Sequence, residues 1–104
     1  MSFWRDLFAG GMPAIPAQHR QEVDQLIEEL TEIGRRDDFL SERPGGGFNS
    51  ECRHIRTRAI GKRLNEIGGL DLMQAVQRRI RKKLGASLAS HLEYAWDAIG
   101  GWIP

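Results

Sequence analysis

The stretch Leu64-Asn65-Glu66-Ile67-Gly68, with Asp71 three places beyond it, repeats Leu30-Thr31-Glu32-Ile33-Gly34, which has Asp37 three places beyond. The copies stand 34 residues apart, the length of one helix-turn-helix unit in repeat proteins. A weaker copy, Trp96-Asp97-Ala98-Ile99-Gly100, follows 32 residues later. Any two amphipathic helices that end in glycine also share such a string. The echo therefore marks either a structural repeat or two helix C-termini, and in both cases it predicts helices that stop and turn.

Outward from the first copy, Val23, Leu26, Ile27, Leu30 and Ile33 keep helical spacing over about 17–33, and Gly34 stands where a left-handed terminator belongs. Residues 35–42 add a turn or two with Phe39 and Leu40, up to the break Pro44-Gly45-Gly46-Gly47. Asn49 or Ser50 caps the next helix, which runs to about Ile67 and stops at Gly68-Gly69. Asp71, with Gln74 three places on, opens another that carries Leu72, Met73, Val76, Ile80 and Leu84 on one stripe, ended by Gly85. Ser87 caps a last helix with Leu88, Leu92, Ala95, Trp96 and Ile99 inward, and residues 2–9 form a short first one before Gly10-Gly11 and Pro13. No stretch alternates with strand period. The fold class is all-α, about five helices in one domain over 1–104, with an N-terminal arm (1–16), a Gly-rich loop (43–49) and a C-terminal tail (100–104).

The run Arg58-Ala59-Ile60-Gly61-Lys62-Arg63-Leu64-Asn65-Glu66-Ile67-Gly68-Gly69, then Asp71 and an apolar helix, resembles the HEAT-type repeats of bacterial proteins. The resemblance covers 17–42, 50–84 and a lone helix at 86–99, and the glycines at 45–47 depart from it. It implies a right-handed stack of helical hairpins that serves as a scaffold or adaptor surface. The residues themselves leave a compact helical bundle equally open.

Composition narrows the function classes. Apolar residues at 40% and charged residues at 28% suit a folded globular chain rather than a disordered one. The N-terminus does not read as a secretory signal, no run of about 18 apolar residues suggests a membrane span, and a single cysteine, Cys52, excludes a metal site built on paired cysteines. A cytoplasmic protein is expected. Net charge is only +1, but residues 17–51 carry nine acids and four bases, whereas 52–83 carry ten bases and two acids. Such a polarised chain suits protein partners or self-association.

The helix at 50–67 places Arg56 and Arg63 between two apolar stripes, Cys52/Ile55/Ala59 and Ile60/Leu64/Ile67. Buried guanidinium groups need partners, and Glu22, Glu28, Glu29 and Glu32 of the first long helix supply them; an anion or phosphate site is the alternative. Arg53, Arg58, Lys62, Arg78, Arg79, Arg81 and Lys82, with Lys83, are the candidate partner or anion contacts, and a nucleic-acid-binding face over 53–83 is the alternative function. Phe3, Trp4, Phe8 and Trp102 are candidate interface aromatics at the two ends. The loop at 44–50 lacks the Gly-Lys-Ser/Thr ending of a nucleotide-binding loop. His19, His54 and His91 share no ligand spacing, and Cys52 and His54, at i and i+2, point apart on a helix. No catalytic residue, metal or cofactor is assigned. The expected function is a non-catalytic interaction or structural module that self-associates.

Overall fold

The computed structural model describes residues 15–36, 38–39 and 53–104. The expected helix at 2–9, the Gly-rich loop at 43–49, Cys52 and the aromatics Phe3, Trp4 and Phe8 lie outside them. Three helices are formed among the described residues, α1 (Ala17–Arg36), α2 (Arg53–Leu84) and α3 (Ala86–Ala95), followed by a short 3-10 turn at Ile99–Gly101. No strand occurs among them, so the all-α class holds. No helix among the described residues is long and apolar enough to cross a membrane.

The expected count of five is not matched among the described residues. Besides the helix outside the described residues, the two segments expected at 50–67 and 71–84 form one helix interrupted at a single residue, Gly69. Its φ of 69° and ψ of −164° fall where only glycine rests without strain. Helix resumes at once on either side, so the two expected segments are present as two arms that meet at Gly69 with no connecting loop between them. The first arm, 53–68, runs antiparallel to α1, because Arg56 meets Glu29 while Arg63 meets Glu22. The second arm, 70–84, returns alongside α1, and Leu84 reaches Gly34 near the end of α1. Gly69 is therefore a reversal. The chain from 86 onward runs back down, with Trp96 against Gly61 and Gly100 against Asn65.

Neither glycine of the echo is itself the left-handed stop. Gly34 lies inside α1, which continues to Arg36, and it is not among the residues of positive φ. A Cβ there would come within 2.5 Å of Leu84 Cδ1 and 2.8 Å of the Phe39 ring, so the missing side chain lets α1 and the second arm close on each other. Gly68 is likewise helical, and the stop falls one residue later. At the last helix the expected Ser87 cap is not used: Gly85 precedes the first turn and offers no side chain, and the helix ends at Ala95 rather than near 99. Beyond it the left-handed Ala98, φ 68°, redirects the chain.

One apolar core joins every described element. Val23 and Leu30 of α1, Ile60 and Leu64 of the first arm, Met73, Val76 and Ile80 of the second, and Leu92 and Trp96 are all fully buried, as is Phe39 just beyond α1. Helical spacing of these residues within each element accounts for the packing, since one stripe per helix faces inward.

Candidate functional site

The basic residues divide by what they touch, and the division separates structural cations from available ones. Arg56 and Arg63 lie one heptad apart on the first arm, opposite Glu29 and Glu22, one heptad apart on α1. Arg56 donates to both Glu29 oxygens at 2.5 and 2.8 Å, and Arg63 donates to both Glu22 oxygens at 2.6 and 2.9 Å and to Glu66 at 3.1 Å. Such forked pairs are the strong geometry for arginine and carboxylate. Hydrogen bonds from Arg63 and Arg56 hold the Glu22 and Glu29 carboxyls below the ordinary glutamate range, and the same bonds raise both guanidinium groups. The Arg56 pair is 48% and 40% exposed, so it sits at the rim and not in the interior.

That placement corrects the two-stripe reading of this helix. Ile60 and Leu64 are buried, but Ile55 is 65% exposed and Ala59 also faces solvent. The first arm is flanked by α1 on one side and by residues 95–100 on the other, and Ile55 and Ala59 on its third side are exposed. The guanidinium groups of Arg56 and Arg63 therefore close a helix–helix seam instead of lying between two buried stripes.

Arg58, expected on a basic face, is turned to the opposite flank. Its Nη1 donates to the carbonyls of Ala95 at 2.8 Å and Asp97 at 3.1 Å, where the last turn of α3 leaves carbonyls unpaired. A cation at a helix C-terminus also opposes the partial negative charge there. Beside it the Trp96 indole lies on Gly61 and donates from Nε1 to the Thr57 carbonyl at 3.0 Å. Thr57 bonds its own hydroxyl to the Arg53 carbonyl at 2.8 Å. Trp102, expected as an interface aromatic, is only 6% exposed and meets Trp96 edge to face at 5.5 Å. Gly100 and Gly101, with φ of 60° and 84°, turn the tail inward, which is why Trp102 packs on its own domain.

Arg53, Arg78 and Arg79 also have partners within the fold. Lys62, Arg81, Lys82 and Lys83 are exposed and form no ion pair among the described residues. The last three occupy the final turn of the second arm, and Arg35 and Arg36 occupy the final turn of α1. Because those two elements run in the same direction, their C-termini share one end of the molecule. Arg35 and Lys83 line a common cleft of about 240 Å³ with Glu28, Thr31 and Glu32. Glu32 lies 3.7 Å from Arg35 and 3.1 Å from Arg36. Five cations thus form a pole with one paired acid, and no sequence grouping had put Arg35 and Arg36 with residues 81–83. Only the reversal at Gly69 does so.

His91 Nδ1 lies 2.7 Å from Asp38 Oδ2, tying the segment after α1 to α3, and His19 stands 3.9 Å from Glu22. The pairs lie on different elements, and among the described residues no three metal-ligating side chains come together. A second cleft of about 350 Å³ has Leu70, Trp102 and Ile103 with Gln74, Gln77, Arg78 and Glu93 around it. No protein-family model, curated protein or solved structure matches the chain.

Proposed function

We propose that this chain is a small non-catalytic interaction module that works as a self-associating helical scaffold in the cytoplasm. The observation that carries this reading is the outer face of the first arm. There Ile55, 65% exposed, and Ala59 one turn further present apolar surface that the domain's own core does not use. The neighbours Lys62 and Glu66 on the same side are exposed and of opposite sign, so a second copy meets both an apolar patch and complementary charges. Of the two scaffold forms expected, the bundle is the better supported, since α1 meets both arms of α2.

Sedimentation of the full chain over a wide concentration range tests the proposal. Self-association is expected, weakened at least tenfold by Ile55→Asp without loss of the circular-dichroism melt. A monomer at every concentration, or an oligomer indifferent to Ile55→Asp and Ala59→Asp alike, would overturn it.

A further inference from the structure

We propose that the cationic pole, Arg35, Arg36, Arg81, Lys82 and Lys83, binds the phosphodiester backbone of a nucleic acid strand. The pole is independent of the self-association face, so a monomeric chain binds equally well.

Helix termini explain part of this charge but not all of it. A cation in the last turn of a helix is favourable by about 0.3–1 kcal/mol, and the benefit fades within that turn. The second arm places three consecutive cations in its last turn, and α1 adds two more beside them. Consecutive residues on a helix point about 100° apart, so Arg81, Lys82 and Lys83 surround the helix end and cannot all lie along one dipole. They repel one another and form no ion pair among the described residues; the carboxylates beside them are Glu28 and Glu32 across the cleft that Lys83 lines, and Glu32 is already shared by Arg35 and Arg36. The chain as a whole is nearly neutral at +1, so this end is a local concentration of charge rather than the average of a basic protein.

Shape and chemistry point to phosphate. The residues just past the second arm, Gly85, Ala86 and Ser87, are exposed and small, so no described side chain there stands in front of the cations. Packed helices lie about 8–10 Å apart, so two neighbouring helix ends can each meet a different phosphate of one strand. Three of the five groups are arginines, whose planar fork suits two oxygens of one phosphate. Membrane docking would place exposed large apolar residues among the cations. Among the described residues the exposed ones are Ile55, Tyr94 and Ile103, none of them on the last turns of α1 or the second arm. Among the described residues the pole has no exposed aromatic, Phe39 beside it being fully buried, so the contact is insensitive to sequence.

Fluorescence anisotropy of the full chain with a labelled 12-nucleotide single strand of mixed sequence, as DNA and as RNA, tests the proposal. Three to five phosphate contacts give a slope of log affinity against log salt of about −2 to −3.5. The variant Arg81→Gln/Lys82→Gln/Lys83→Gln is expected to bind at least tenfold more weakly, with the slope reduced in magnitude by about 2, and to keep its thermal melt. Should the triple variant fold poorly, the single variants Arg81→Gln and Lys83→Gln are each expected to weaken binding two- to threefold. Lys62→Gln, which removes an exposed cation elsewhere, leaves affinity within twofold. No binding at low salt would overturn the proposal, as would equal binding by the triple variant. Competition by poly-glutamate equal to that by an unlabelled strand, or binding to phosphatidylserine vesicles in preference to the strand, would also overturn it.

Discussion

Replacing Gly61 by alanine opposes two effects whose balance the structure decides. Glycine inside a helix costs about 1 kcal/mol relative to alanine, so on local grounds Gly61→Ala stabilises the first arm. The added Cβ, however, would stand 2.6 Å from Cδ1 and from Nε1 of Trp96, and 3.1 Å from Cε2. Trp96 is fully buried, is held by its bond to the Thr57 carbonyl at 3.0 Å, and has Trp102 against it. To restore ordinary contact the ring must retreat by about 1 Å, and overpacking of this kind costs about 1–3 kcal/mol. Stretching the indole bond leaves a buried donor and carbonyl underused, a further cost of about 1–3 kcal/mol. Set against the propensity gain, the net loss is about 1–5 kcal/mol. Urea unfolding followed by circular dichroism and tryptophan fluorescence should show a lowered midpoint with an unchanged slope, while Lys62→Ala changes stability by less than about 0.5 kcal/mol. A Gly61→Ala protein as stable as the parent, or more so, would refute the placement of Trp96 on this helix.

Other expectations follow from the same contacts. Trp102→Ala removes an indole that is 6% exposed and should cost about 3–5 kcal/mol, read in the same unfolding assay. Gly69→Ala forces a side chain into φ 69°, ψ −164°, with an expected loss of about 1–3 kcal/mol; since no atom lies within 4 Å of that Cβ, the loss is conformational, and substituting a D-alanine there by chemical synthesis should recover most of it. Glu22 and Glu29 have lowered pKa values, caused first by the hydrogen bonds from Arg63 and Arg56. Their contribution is therefore complete above the ordinary glutamate range, about 4.3, and is lost as pH falls through the folded-state values. For the rim-exposed Arg56–Glu29 pair this is at most about 1 kcal/mol. Urea midpoints measured from pH 6 to pH 3 should fall less in Glu29→Gln than in the parent.

Helix identity was legible because the core residues of each segment recur at helical spacing, and Val23, Leu30, Leu64, Val76, Ile80 and Leu92 are all buried as that spacing requires. Glycines were harder to read, since a sequence does not distinguish one that turns the chain from one that admits a neighbour. Gly69 turns it, while Gly34 and Gly61 make room for Leu84 and Trp96. The solvent face of the first arm was misread for a related reason: Ile55 and Ala59 look apolar enough to be buried, and only the number of neighbouring helices decides whether they are. Heptad spacing of Arg56 and Arg63 against Glu22 and Glu29 was present in the sequence and needed only the antiparallel direction to become a pairing scheme. The pole was illegible for a topological reason, because Arg35 and Arg36 join residues 81–83 through a chain reversal that local patterns do not encode.

The account rests on sorting the basic residues into those that hold the helices together and those left at the pole. Amide chemical-shift mapping of the full chain during titration with the 12-nucleotide strand tests that sorting directly. Shifts concentrated at 33–36 and 79–87, with 54–66 undisturbed, are the predicted result. Shifts centred on 53–63, with the pole unchanged, would contradict it.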